Sequence, residues 1–465
     1  MSTFVPPLRA VIHFDGKLLE DYSGEFGERL AVIVSGDTPE CAQGKLISAR
    51  KIPDGSGHEI AAEVAKSIRH WGIEKRVYAM CFDTTASNTG WLNGAATKLE
   101  IHLNRPLLWI PCRKHIAELF LKASWYAIFD EDMGPNYGGF KEFKHVWTSI
   151  NKNNFKGLQP KPWMKDKIHS IIQICSNALK KGNSRDDYKE NLELVLVVLG
   201  ILPEKFSFKK PGAVHKARWM APMLYGLKMF LFRNELKTSA KEQKKLERFV
   251  TFVCFIYIEH WVNASNASDA PFIDLSRYKN LLCYQEIDRP VALAVLKKLK
   301  LHTWFLNQEF APLSLFSEKV SDEQKTLLAK HLIKIKPAKY EMGCPNPVEM
   351  PNSKNVGLKL ELFEFIGNGS LFIFDQLHFN KDWLKLPIAQ WKDNESYNEM
   401  KRFFQCLLVT NDTAERGIKL LTDYANSITK DPKDRENMLQ IVEDHRRLFP
   451  DQNKATLSRG LKLES

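Results

Sequence analysis

Short apolar runs separated by turn residues fill the first quarter of the chain. Residues 10–14 (AVIHF), 29–35 (RLAVIVS) and 45–52 (KLISARKI) have strand length and are rich in β-branched side chains. Asp15-Gly16, Gly36-Asp37-Thr38-Pro39 and Pro53-Asp54-Gly55 close them, and such turn chemistry predicts an antiparallel meander. The period then changes. Ile60, Val64, Ile68 and Trp71 recur at helical spacing, behind Ser56 as a cap and ahead of Gly72 as a stop. A fourth run, 77–82, ends on Asp83. A polar turn, a helical stretch and a fifth run, 107–110, lead to Cys112-Arg113-Lys114-His115. Two apolar runs joined by a helix predict parallel neighbours, with chemistry at their carboxyl ends.

Beyond residue 124 the alternation gives way to helical periodicity. Helices are expected over 188–202, 214–234, 241–262, 288–306 and 322–334, with a loop over 343–357. Residues 358–374 are ambiguous between helix and strand. An apolar run at 402–410 precedes Asn411-Asp412-Thr413-Ala414-Glu415, a helix through Ile418, Leu421 and Tyr424, and a last helix over 434–449. The expected division is a first core segment at 1–123, a helical insertion at 124–400, a closing core segment at 401–450, and a mobile tail at 451–465.

The order β-β-β-α-β-α-β-α is the ribonuclease H-like pattern. A right-handed crossover brings strand four parallel to strand one on its free side. Asp15, ending strand one, and Asp83, ending strand four, then lie side by side. Adjacent strands are roughly 5 Å apart, so both carboxylates can share one metal ion. Each acid also has a purely structural reading. Asp15 suits an Asp-Gly turn, Asp83 suits a helix cap, and Asp412-x-x-Glu415 fits a capping box.

Composition narrows the partners. The net charge of +12 favours an anionic partner, nucleic acid first. The eight cysteines form no Cys-x-x-Cys pair, which argues against a zinc ribbon. Cys81, Cys254 and Cys406 lie in apolar runs and read as buried free thiols of a reducing, intracellular compartment. The apolar run at 249–258 is half of a membrane span, and the first nine residues lack the order of a secretory leader. Neither a membrane nor a secretory route is expected.

Asp15, Asp83, Cys112-x-x-His115 and a late Glu415 on a helix resemble the catalytic core of eukaryotic cut-and-paste DNA transposases of the hAT-like group. The resemblance spans nearly the whole chain through a few short motifs. It implies an α/β ribonuclease H-like core interrupted by a large all-α insertion. It also implies an Asp/Asp/Glu site at Asp15, Asp83 and Glu415 that binds Mg²⁺ or Mn²⁺, two ions with DNA bound. Asp412 is the rival third ligand. Ala217-Arg218-Trp219-Met220 resembles an Arg-Trp element of that insertion, with Arg218 on phosphate and Trp219 stacked on a base, or Trp219 simply in the core. Cys112 and His115 are expected to brace a strand-to-helix corner. DNA is the implied partner and the nucleus the implied location; self-association is left open. Such transposases carry an N-terminal zinc-binding DNA module, and no such spacing occurs here, which points to a truncated or transposon-derived protein. That opens a second reading, a catalytically inactive binder of nucleic acid or protein. The lysine pairs Lys209-Lys210 and Lys244-Lys245 read as solvated surface.

Overall fold

The computed structural model describes residues 4–411 and 431, except 21–25, 40, 43, 132–136, 183–185, 213, 215–219, 237, 337–342, 344, 346 and 347. Five strands form one open mixed sheet in the order β3-β2-β1-β4-β5. Strands β1 (Ala10–Glu20), β2 (Phe26–Gly36) and β3 (Lys45–Ile52) are antiparallel. Strand β4 (Val77–Phe82) runs parallel to β1, and β5 (Leu108–Pro111) parallel to β4. The protein is thus α/β, with a three-stranded meander extended by two parallel strands.

One expectation needs correction. Strand β1 does not stop at Phe14 but runs to Glu20. Asp15-Gly16 is not a turn: Asp15 pairs with Ala31 and Gly16 with Leu30. Because β2 also starts early, at Phe26, backbone hydrogen bonding carries the ladder past the last core-facing residue. The apolar pattern marks only the stretch that the core covers.

Helix α1 (Gly57–His70) forms as its capping and periodicity dictate. The Ser56 hydroxyl accepts from the Glu59 amide at 3.4 Å, and Ile60, Val64, Ile68 and Trp71 are all buried. The Trp71 indole donates to the Ile47 carbonyl at 2.9 Å, tying the helix end to β3. Gly72 follows in the left-handed region, at φ 66°, where a side chain would be strained. Helices α2 (Ala86–Thr89) and α3 (Ala95–Leu103) lie between β4 and β5, and α1 packs against α3, β2 and β3.

Helix α4 (Arg113–Phe129) leaves β5 and enters the helical body, packing against the helices Arg289–Leu299 and Ala240–Phe252. The border expected at 123–124 therefore falls inside a helix. After β5, every regular element among the described residues is helical. The ambiguous 358–374 stretch holds a 3₁₀ turn, Leu362–Phe365, and a short helix, Phe372–Gln376. The segment expected as one helix over 241–262 contains a π-helical turn, Val253–Tyr257.

Aromatic side chains hold this body together. Trp125 of α4 stacks on Phe129 with centroids 3.9 Å apart and meets Phe249 edge-on at 4.9 Å. Trp383, Trp391 and Tyr397 form a second cluster at 4.8–5.3 Å. Of the cysteines placed in apolar runs, Cys81 and Cys254 are buried but Cys406 is exposed. It ends the helix Glu395–Cys406, which turns Phe403 and Phe404 inward instead. Among the described residues, no helix is long and apolar enough to cross a membrane.

Candidate functional site

The parallel register sets the two aspartates side by side in sequence terms. The last β1–β4 pair is His13 with Cys81, and Asp15 and Asp83 each stand two residues beyond it. The two-residue period of a strand gives Asp15 the face of His13 and continues Cys81 toward Asp83. Both aspartates are half-buried.

Asp83 is held by its own turn. Its Oδ1 accepts from the Thr85 amide at 3.3 Å, the Thr85 hydroxyl at 2.7 Å and the Asn88 amide at 2.5 Å. No described residue donates to its Oδ2. The cap residue of α2 is Thr85, not Asp83. Asp83 therefore organises the loop through one oxygen and keeps the other available.

The distant end of the chain returns to this edge. The Cys112 amide donates to the Phe82 carbonyl at 2.7 Å, closing β5 against β4. The Arg113 amide donates to the Val409 carbonyl at 3.0 Å. The Asn411 amide reaches Cys112 Sγ at 3.2 Å, and the Asn411 side chain donates to the Phe14 carbonyl at 2.7 Å. Asn411 is thus bonded to the residue before Asp15 and to the corner after β5. Glu415 and its rival Asp412 lie just beyond it, outside the described residues, as do Arg218 and Trp219.

Histidines line the same region. His115, in the first turn of α4, has its pKa lowered by burial, while the negative charge of Asp83 pulls it back up. His302 is pushed down to about 4 by burial, with Lys298 and His115 adding to the effect. His13 is likewise pushed down to about 4 by burial and bonds Ser35 Oγ through Nε2 at 2.7 Å. Deeply buried polar atoms without a hydrogen-bond partner also gather here: His13 Nδ1, Thr84 Oγ1, Asn88 Oδ1 and Asn411 Oδ1. Such atoms are not peculiar to this edge, since Trp125, Asn191, His260, Asn307, Ser314 and Trp383 in the helical body also carry them.

The donor set suits a hard divalent cation. Mg²⁺ and Mn²⁺ take carboxylate oxygens and retain waters, and Asp83 Oδ2 is such an oxygen. Among the described residues, no three His, Cys, Asp or Glu side chains already cluster as a ligand set. Cys112 is buried and engaged by Asn411, so it acts at the corner rather than as a thiolate ligand.

Three residues here carry weight that no pattern in the chain announces. Arg113 is buried and bonds Asp274 at 2.5 Å while also reaching the carbonyls of Asn263 and Ala264, which joins the sheet corner to the helical body. Asn88 and Asn411 act through single side-chain amides. Arg113 opens the run Arg113-Lys114-His115, which reads as a solvated helix start and hides its burial. No protein-family model matches this chain, and no curated protein is significantly similar to it.

Proposed function

We propose that this protein is a divalent-metal-dependent phosphoryl transferase of the transposase or nuclease kind, with a ribonuclease H-like core, acting on DNA. The observation that supports this best is the register that sets Asp15 of β1 and Asp83, just after the parallel β4, two residues past the same pair, with the chain returning at Asn411, four residues before Glu415. Bound Mg²⁺ or Mn²⁺ would supply activation of the attacking oxygen and charge stabilisation of the leaving one. Asp15, Asp83 and Glu415 are the proposed ligands. Thr85 and Asn88 hold the Asp83 carboxylate in one orientation, so little freedom is lost on binding. Burial lowers the His115 pKa, which disfavours a competing positive charge next to Asp83.

The test is nicking of supercoiled DNA by the purified chain with Mg²⁺ or Mn²⁺ and with EDTA. Cleavage that needs the metal and disappears in Glu415→Gln supports the reading. If Glu415→Gln cleaves normally and Asp412→Asn is inactive, Asp412 is the third ligand. A chain that cleaves nothing with either metal overturns the enzyme reading and leaves the second one, a non-catalytic binder, which the +12 charge independently favours.

A further inference from the structure

The segment that follows Asp83 ends in an exposed apolar tip. Asn88, which holds the Asp83 carboxylate, lies on α2, and residues 90–94 turn from α2 into α3. The Gly94 amide closes this turn on the Gly90 carbonyl at 2.7 Å, and the Thr97 hydroxyl donates to the same oxygen at 3.4 Å. Trp91 and Leu92 stand at the tip, 78% and 71% exposed, the two highest values for a large hydrophobic side chain among the described residues.

Close backbone packing holds the tip out. A Cβ on Gly94 would stand 2.5 Å from the Gly90 nitrogen and carbonyl oxygen, and one on Gly57, at the start of α1, would run into the Asn93 carbonyl. Only glycine permits both approaches, so the turn is pinned against α1. Isolated exposed hydrophobics are ordinary; an adjacent pair on a pinned turn beside a carboxylate loop is not. Trp91 lies three residues from Asn88, a span of at most about 11 Å, so the tip keeps a fixed relation to Asp83. The surface between them suits an anionic strand. Thr85, Ala86, Ser87 and Asn93 are exposed. The sequence has no acidic residue between Asp83 and Glu100, Glu100 is buried, and Lys98 stands in the first turn of α3. On the abutting start of α1, Asp54 faces His58. Hydroxyls, amides and lysines are groups that contact phosphate and sugar, and an aromatic face is what an unpaired base stacks on.

We infer that Trp91 stacks on an unpaired base of a DNA strand whose backbone runs from Asp83 across the exposed face of this turn, with Leu92 against the neighbouring base. The inference rests on the proposed function for the identity of the nucleic acid and the place of its backbone; it needs neither metal nor cleavage.

The experiment is fluorescence anisotropy with the full chain in EDTA and two labelled single-stranded 12-mers, oligo-dT and the same backbone without bases. The variants are Trp91→Ala, Trp91→Phe and Leu92→Ala, with Tyr126→Ala, an exposed aromatic of α4, as control. Expected for Trp91→Ala is a rise in Kd of about fivefold or more on oligo-dT and less than about twofold on the base-free strand. Trp91→Phe should keep most of the affinity, Leu92→Ala should lose less than Trp91→Ala, and the control should match the parent. With 5-iodouracil in the strand, ultraviolet light should join it to Trp91, read by mass spectrometry of the digested chain. An unchanged Trp91→Ala on oligo-dT, equal losses on both strands, an adduct formed only elsewhere, or no binding by the parent would each overturn the inference. So would unchanged DNA binding with loss of a dimer in Trp91→Ala, which gives the tip to a second copy of the chain. Base-dependent binding through Trp91 by a chain that never cleaves would retain the inference and sink only the enzyme reading. Metal-dependent nicking with an unaffected Trp91→Ala would sink only the inference.

Discussion

The strand edge at Asp83 and the helical body differ in the partners they give to charged side chains. In the body, charges taken out of water are paired: Lys228 with Glu190 at 2.6 Å, Arg113 with Asp274 at 2.5 Å, Arg248 with Asp288 at 2.7 Å. At the strand edge, the Asp83 carboxylate is held by neutral donors, Thr85 and Asn88. Ion pairing limits the cost of burying charge, whereas neutral donors orient a carboxylate without cancelling its charge. Buried polar atoms without a hydrogen-bond partner occur in both regions: at His13, Thr84, Asn88 and Asn411 near the edge, and at Trp125, Asn191, His260, Asn307, Ser314 and Trp383 in the body. The contrast is between ion pairs that lock the body and a carboxylate that its own turn orients through one oxygen.

The largest effect that would sharpen the contrast is on activity. Asp83→Asn keeps an oxygen to accept from Thr85 and Asn88, so its thermal midpoint should stay within a few degrees of the parent. Metal-dependent nicking should nevertheless fall by several orders of magnitude. A variant that unfolds instead would make Asp83 a structural residue.

Next comes the body. Asp274→Ala leaves Arg113 and Arg277 buried without their carboxylate, and should cost about 3–5 kcal/mol in urea denaturation. A loss below about 1 kcal/mol would show that the carbonyls around Arg113 suffice.

A third, intermediate effect is set by pH. Burial pushes the Glu100 carboxyl up to about 7, although the Leu107 amide, the Trp109 indole and the Gly343 amide all donate to it. Its folded pKa exceeds the ordinary 4.5, so the folded state holds the proton more tightly. Stability should therefore fall as pH rises from about 4.5 to 7, by roughly 3 kcal/mol, and level off above. Glu100→Gln should abolish that slope. An unchanged slope would assign it to other groups.

The smallest expected effect is local. Ser56→Ala removes the α1 cap and should cost about 1 kcal/mol with no change in nicking, since the Ser56 hydroxyl bonds the Glu59 amide and not the groups that hold Asp83.

Much of the sheet was legible because its core residues follow simple periods. The runs at 10–14, 29–35, 45–52 and 77–82 mark core-facing strand, and Ser56 and Gly72 bracket α1. The extension of β1 to Glu20 was not legible, since a ladder held by backbone hydrogen bonds leaves no apolar trace. The exposure of Cys406 was missed for the converse reason: in a run as apolar as FFQCLL, only the packing partner decides which face turns inward. Of the candidate site, Asp83 could be read from its place after β4, whereas Asp15 stands within β1 and not at the end where the apolar pattern put it. Asn411 could not be read, because a single amide that closes a gap between distant segments has no pattern of its own. Glu415, Asp412, Arg218 and Trp219 remain expectations from sequence.

The most direct measurement is anomalous diffraction from crystals of the chain soaked in Mn²⁺. The expected result is a manganese peak bonded to carboxylate oxygens of both Asp15 and Asp83, at about 2.0–2.2 Å. Aspartates more than about 10 Å apart, too far for bonds of that length to one ion, or manganese bound only elsewhere, would contradict the proposed site.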